Sequence, residues 1–266
     1  MRTAGGRGVI GIAVHQVRLF FIALQFFTRL PVPRWVGFEP QWLHHASRYF
    51  PAAGIVVGGI GALVCWLAGL AWPPAIAVLL STCATIYATG AFHEDGFADV
   101  CDGFGGGMTP ERVLEIMKDS RIGAYGAIGI AMLLALKCTA LSLLGPTATA
   151  ALFIAHPLSR FFSGSLIRFL DYAKAEGKAK PLAQHMSNGE LLIAAITVAI
   201  PFVAMKASDA LHWKDIAVSG FAMACATVWM ARLFRKRIGG YTGDCLGAVQ
   251  QVTEVVFYLA LLATVK

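Results

Sequence analysis

Charge is what this 266-residue chain has least of. Only 14% of its residues are Asp, Glu, Lys or Arg, against roughly 25% in soluble domains. The shortage is deepest in acids, 15 against 22 basic residues, for a net +7. So sparse a set of charges excludes an ordinary water-soluble surface. The six cysteines (Cys65, Cys83, Cys101, Cys138, Cys225 and Cys245) include no pair at zinc-ligand spacing, and four lie in apolar runs. They read as small core hydrophobes, not as a disulfide frame or a zinc site. No GxxxxGK[ST] string is present, which argues against ATP hydrolysis. No Ser-His-Asp order or active-site cysteine pattern argues for acyl transfer. No repeat or low-complexity tract is evident. The first apolar run, 19–27, is short and is followed by Thr28-Arg29 and Pro31, so it makes no convincing signal peptide.

What the chain has is long apolar stretches. It is 57% hydrophobic, with a mean hydropathy of +0.66. Runs near the ~20 residues that a bilayer requires fall at 51–72, 73–92, 124–145, 147–167, 189–206, 214–233 and 246–265. The fold expected is all-α: a polytopic membrane helical bundle of about seven transmembrane helices, preceded by an N-terminal amphipathic or re-entrant helix over 9–27, in one domain spanning 1–266. Gly54, Gly58, Gly59 and Gly61 predict close helix packing in the first span. Trp72-Pro73-Pro74 and Gly145-Pro146 each predict a tight helical hairpin. With the N-terminus in the cytoplasm, seventeen basic residues counting Arg232 lie inside, and only Lys206, Lys214 and Lys266 lie near the outer side. The basic balance therefore reads as contact with the lipid bilayer, not with nucleic acid. The loop 171–188 is polar, basic and expected to be flexible.

The acids are concentrated. Seven of the fifteen fall within residues 92–126. Asp95, Asp99 and Asp102 are spaced i, i+4, i+7, within a helical arc of roughly 60°. Three carboxylates on one stripe repel unless a cation sits among them, and all-oxygen ligands suit Mg²⁺, Mn²⁺ or Ca²⁺. The stripe reads as the continuation of a membrane helix, where acids are costly to place. His93 and Glu94 point off it. Gly96, Gly103 and 105–107 leave room for backbone to approach a bulky anion. Thr109-Pro110-Glu111 predicts the start of an amphipathic helix over 110–120, with Val113, Leu114 and Met117 on one face. At its end, Arg121 could grip a phosphate, and Asp119 could be a further ligand or a base.

A second acid comes from far along the chain. Gly239-Gly240 ends one span, Thr242 caps the next, and Asp244 lies in its first turn. Asp244 is expected to complete the metal site across the bundle, with Gln251 on its face and Glu254 deeper in the span. Arg29, Arg160 and Arg168 are candidate anion ligands; Arg160 pairs either with Asp244 or Glu254, or with phosphate. The cluster 232–237 reads mainly as a positive-inside anchor. Clustered Asp, flexible backbone and nearby Arg together fit metal-assisted diphosphate chemistry.

The strings ALQFFTRLPVP (23–33), HEDGFADVCDG (93–103), MKDSRIG (117–123) and GYTGDCLGA (240–248) resemble those of the adenosylcobinamide-GDP ribazoletransferase family, also called cobalamin-5′-phosphate synthases. The resemblance spans nearly the whole chain. It implies a Mg²⁺-dependent multi-pass enzyme of the bacterial inner membrane, with its active site on the cytoplasmic side. The substrates implied are a corrinoid nucleotide, adenosylcobinamide-GDP, and α-ribazole or its 5′-phosphate, with GMP released. On this resemblance Asp95, Asp99, Asp102 and Asp244 hold the metal, while Asp119, Arg29, Arg121 and Arg160 act on the reacting groups. Several relatives carry an acid where this chain has Gln251, which is left out of the metal set. A homo-oligomer is left open. The acids also resemble the motif of CDP-alcohol phosphotransferases, although Asp99 replaces the arginine expected there. A cation-coupled transporter is the other alternative.

Overall fold

A computed structural model describes residues 4–173, 185–206 and 211–265. The basic segment 174–184, most of the loop expected to be flexible, lies outside the described residues, as does Lys266. The described residues are mostly helical, joined by short turns and one isolated bridge between Tyr172 and Tyr241. The helices are α1 (Ala4–Phe27), α2 (Pro40–Ala46), α3 (Phe50–Gly69), α4 (Pro74–Thr89), α5 (Phe92–Gly106), α6 (Pro110–Met117), α7 (Ala124–Leu144), α8 (Ala148–Phe169), α9 (Asn188–Lys206), α10 (Trp213–Ile238) and α11 (Gly243–Thr264). Four continuous helical stretches are long and apolar enough to cross a membrane: Gln41–Gly69, Ala124–Phe169, Trp213–Ile238 and Gly243–Thr264. The pair α4 and α5 passes the same test only together, with an 89° bend between its halves. The helical membrane bundle therefore stands, with four or five such stretches where seven separate spans are expected. Part of the difference is that Ala124–Phe169 comprises both α7 and α8.

Local chemistry explains the boundaries. Proline at the first turn starts α3, α4 and α6, where its missing N–H is one the helix would leave unbonded anyway. Thr109 caps α6 by accepting from the Arg112 amide, and Thr242 caps α11 by accepting from the Cys245 amide. Gly239, at φ +75°, ends α10 in the left-handed region. The α10–α11 turn is tied to the end of α8, where Tyr241 N–H donates to Asp171 O (3.0 Å) and Ala173 N–H to Tyr241 O (2.9 Å).

Of the four first-span glycines, Gly54, Gly58 and Gly61 pack closely as expected, and Gly59 does not. A Cβ on Gly54 would meet the His156 carbonyl and the Pro157 Cα at 2.6 Å, and one on Gly58 the Leu152 carbonyl at 3.0 Å. The α3 and α8 backbones therefore lie in direct contact. Gly61 faces α4 in the same way, through Thr85 and Ser81. Two expectations need correction. Gly145-Pro146 turns the chain, but α7 and α8 barely touch beyond it. α8 instead packs along α3, and α7 against α5, α4 and α11. Nor does the acidic stripe continue a membrane helix, because the chain breaks at Gly90-Ala91 and the acids ride on a helix of their own.

Two apolar clusters fill the bundle. One gathers Leu19, Ile22, Phe50, Phe234, Cys245 and Val249 at the acid-bearing end. The other gathers Leu141, Leu152, Ile154, Met223, Phe257 and Leu261 toward the opposite end. The outward faces are oily: Trp66, Leu136, Ile196, Phe221 and Trp229 are all exposed, as bilayer-facing side chains are. Cys83 and Cys225 belong to this exterior and not to the core expected for them. Gly54→Val should overpack the α3–α8 contact at a penalty of about 1–3 kcal/mol, lowering the thermal midpoint in detergent. Gly59→Ala, whose added carbon meets only the Phe153 ring at 3.9 Å, should leave the midpoint unchanged. Equal effects would show that α3 and α8 are not in backbone contact.

Candidate active site

The bend before α5 sets the direction of the acids. Gly90 sits at φ +66° and Ala91 at φ +59°. A left-handed alanine is strained, and such strain gathers at functional sites. Arg29 packs into the bend: its N–H donates to the Ala88 carbonyl at 2.8 Å, and a Cβ on Gly90 would lie 2.5 Å from its side chain. From there α5 runs along α11. A Cβ on Gly96 would meet the Asp244 backbone at 3.0 Å, and one on Gly247 the His93 carbonyl at 3.2 Å. Glycines on both helices thus let Asp95, Asp99 and Asp244 face one another across the contact. Asp99 is half-buried and lies within reach of the charges of Asp244, Asp95 and Asp102.

None of Asp95, Asp99 and Asp244 forms an ion pair with a basic side chain among the described residues. Asp244 receives one long hydrogen bond, from Thr242 Oγ1 at 3.4 Å. Also among the described residues, no three His, Cys, Asp or Glu side chains close on a common point as metal ligands do. The donor set still suits a hard divalent cation. It is all oxygen, it carries excess negative charge, and no basic side chain among the described residues pairs with it.

The remaining candidates are arranged differently. Asp102 is buried, and its two oxygens accept from the amides of Gly123 (2.7 Å) and Gly126 (2.8 Å). It caps the start of α7, so only its remaining lone pairs could reach an ion. Asp119 lies at the surface in a fork with Arg121, at 2.6 Å from the terminal nitrogen. Those hydrogen bonds hold its carboxyl down at about 2, which makes it a weak proton acceptor. Arg29 is at the bend. Arg160 is 2% exposed, with its guanidinium on His156 and 5.8 Å from the Phe27 ring. Two members of the basic cluster on α10 serve helix ends: Arg237 donates to the Phe104 and Gly107 carbonyls, and Arg235 to that of Phe169.

Beneath the acids, between the two apolar clusters, lies a polar layer. Glu254 on α11 is fully buried and pairs with Lys137 of α7. It also accepts from Gln250 (2.6 Å) and from the Tyr258 hydroxyl (3.0 Å), and lies 3.4 Å from His156. Gln251 donates to Glu94 Oε1 at 2.9 Å, joining α11 to the first turn of α5. All of these but Tyr258, with His93 and Arg160, surround a cavity of about 10 Å³, close to the room one water needs. His93 Nε2, Glu94 Oε2, His156 Nε2, Arg160 Nε, Gln250 Oε1 and Gln251 Oε1 are all buried without a partner. Sequence reasoning passed over Lys137, though a lysine in an apolar span is itself a signal. It gave Glu254 no partner beyond Arg160, and it placed His93 and Glu94 off the stripe without seeing what they face.

Comparison with known proteins agrees in direction. The family described as Cobalamin-5-phosphate synthase matches residues 19–262. The chain is 48% identical over 265 residues to a protein of Leptothrix cholodnii named adenosylcobinamide-GDP ribazoletransferase, covering 95% of this chain and 97% of that one. Proteins of the same name from Shewanella frigidimarina and Ralstonia nicotianae are 46% and 44% identical, covering 94% and 92% of this chain and 96% and 95% of theirs. No solved structure matches.

The buried ion pair can be tested without substrate. Glu254→Ala leaves Lys137 charged and unmatched, and should destabilise the protein by about 3–5 kcal/mol. The double variant Glu254→Leu, Lys137→Met should recover most of that loss in detergent thermal unfolding. A double variant no better than the single one would show that the two side chains are not coupled.

Proposed function

Because the chain belongs to the cobalamin-5-phosphate synthase family, we propose that it joins adenosylcobinamide-GDP to α-ribazole, or to α-ribazole 5′-phosphate, and releases GMP. The observation that carries this reading is the near full-length likeness to proteins of that name. The product is adenosylcobalamin or its 5′-phosphate. A ribose hydroxyl of the ribazole forms a bond to the phosphorus nearer the corrinoid. The bond from that phosphorus to the bridging oxygen breaks, GMP leaves with the electron pair, and the hydroxyl proton passes to a base.

Asp95, Asp99 and Asp244 are the residues that would hold Mg²⁺, supported by their all-oxygen, uncompensated character. Mg²⁺, when bound, supplies charge neutralisation on the diphosphate. The chain's own groups do the rest. Asp102 fixes the α7 start beside the stripe. Arg121 is oriented by Asp119 at the surface, and Arg29 stands at the bend from which the acids depart. Both are suited to phosphate oxygens. Arg160 is assigned to supporting the buried layer. The room for an anion expected at 105–107 is taken up by packing instead: a Cβ on Gly107 would meet Val113 at 2.6 Å, and one on Gly105 would run into the Tyr125 ring. The basic residues gathered on the acid-bearing side favour a bacterial inner-membrane enzyme working on its cytoplasmic face.

Purified protein should release GMP from adenosylcobinamide-GDP and α-ribazole only with Mg²⁺, and chelation should stop it. Asp95→Asn, Asp99→Asn and Asp244→Asn should each lower kcat by about 100-fold or more. Such a loss corresponds to about 3 kcal/mol of transition-state stabilisation, in the range that metal clamping supplies. Near-normal rates in all three would overturn the metal assignment while leaving the overall reaction standing.

A further inference from the structure

An apolar hollow of about 60 Å³ opens beside the carboxylates. Its walls are rings: Phe26 and Phe27 from the end of α1, Phe50 from the start of α3, Phe92 from the start of α5, and Tyr241 from the turn before α11. The rings brace one another. Phe27 and Phe50 meet edge to face with centroids 4.5 Å apart, and Phe26 lies parallel to Phe50 at 6.1 Å. Elements distant in sequence thus converge on one aromatic slot.

The slot and the acids share backbone. Gly243 lines the hollow and immediately precedes Asp244, and Gly247, three residues after Asp244 on the same helix, lines it too. A ligand seated between the rings therefore emerges next to the carboxylates. His93 stacks on Phe27 at 5.2 Å, is 3% exposed, and has a buried Nε2 without a hydrogen-bond partner. Ser163, the other small polar group there, already donates to the Leu246 carbonyl at 2.7 Å.

These features select among ring systems. Aromatic walls favour a flat ring by stacking and edge contacts. A guanine carries several donors and acceptors along its edges, and here most would be buried unpaired, which is costly. A benzimidazole joined to a sugar has one free ring nitrogen, in its five-membered ring, and its benzo edge carries no donor or acceptor to be buried unpaired. Benzene fills a cavity of about 150 Å³, so this hollow receives an edge and does not enclose the bicycle. The benzo edge enters, leaving the five-membered ring and its ribose toward Asp244.

Resting on the ribazole-transfer reading, the geometry points to this hollow as the seat of the ribazole base, placing the attacking ribose, and not the guanosine of the leaving group, on the aromatic side of the acids. The test is a steady-state comparison of wild type, Leu246→Phe, which fills the hollow, and Phe50→Leu, which widens it. Two ribazoles serve as nucleophiles, one with an unsubstituted benzo edge and one with two methyl groups on it. Leu246→Phe should raise the KM of the dimethylated nucleoside by at least about tenfold and that of the unsubstituted one by less. Phe50→Leu should narrow or invert the wild-type preference between them. The KM for adenosylcobinamide-GDP should move in neither. Calorimetric titration of each ribazole, without the corrinoid, should show the same order of affinities and requires no turnover. If wild type turns over but the variants change KM for adenosylcobinamide-GDP, or leave the ratio between the ribazoles unaltered, the base does not sit here and the reaction stands. If wild type neither binds a ribazole nor releases GMP with one, the ribazole-transfer reading itself falls and the slot assignment falls with it.

Discussion

The pairing of Lys137 with Glu254 is the constraint on which the arrangement of the acids depends. Both side chains are buried at the centre of their helices, away from water. A charge at that depth has to be met by its opposite, so α11 cannot slide or rotate against α7 without leaving both exposed to hydrocarbon. A shift of one residue moves a side chain by about 1.5 Å along the axis and about 100° around it. Asp244 lies ten residues before Glu254 on the same rigid rod, so fixing Glu254 fixes Asp244. Gln251 does the same for α5 through its bond to Glu94, one residue before Asp95. The open carboxylate face inherits its geometry from a closed layer beneath it.

The other determinant is the break at Gly90-Ala91. An uninterrupted helix through α4 and α5 would carry the acids along the α4 axis, away from α11. Two successive left-handed residues turn the chain by 89°, and the second of them lacks glycine's freedom. Such a conformation costs on the order of 1 kcal/mol or more and persists only where surroundings enforce it. Here Arg29 fills the bend, and the Ala91 amide still finds the Ile86 carbonyl at 3.0 Å. The strain belongs to a place where direction matters, since it points Glu94 inward and Asp95 outward from the same turn.

Much of this was legible in the sequence, and the parts that were not share a cause. Helix limits near 51, 124, 147 and 246 follow from hydropathy, and the caps at Thr109 and Thr242 from residue type, because both signals are local. The stripe of Asp95 and Asp99 follows from helical period, and the nearness of Asp244 from the topology that places both on one side of the bundle. What escaped depends on partners distant in sequence. Asp102 has the stripe's period, yet its oxygens are taken by amides more than twenty residues away. Ala91 carries no mark of its backbone conformation. The hairpin expected at Gly145-Pro146 was read from the turn alone, whereas the packing of α8 is decided by the glycine face of α3. Lys137 alone carried a local signal, a cation inside an apolar run, that could have predicted a buried partner.

The two groups of carboxylates show how one bundle treats the same chemistry in opposite ways. Glu254 is surrounded by Lys137, His156, Gln250 and Tyr258, so its charge is spoken for and nothing further need bind it. Asp95, Asp99 and Asp244 are brought together by glycines, which supply proximity and no compensation. Folding has thus placed like charges side by side where nearby Arg29 and Arg121 are engaged elsewhere, one with the bend and one with Asp119. Among the described residues a buried glutamate is thus met by four partners, while three aspartates meet no basic side chain, and that contrast is what supports a cation as their proposed partner.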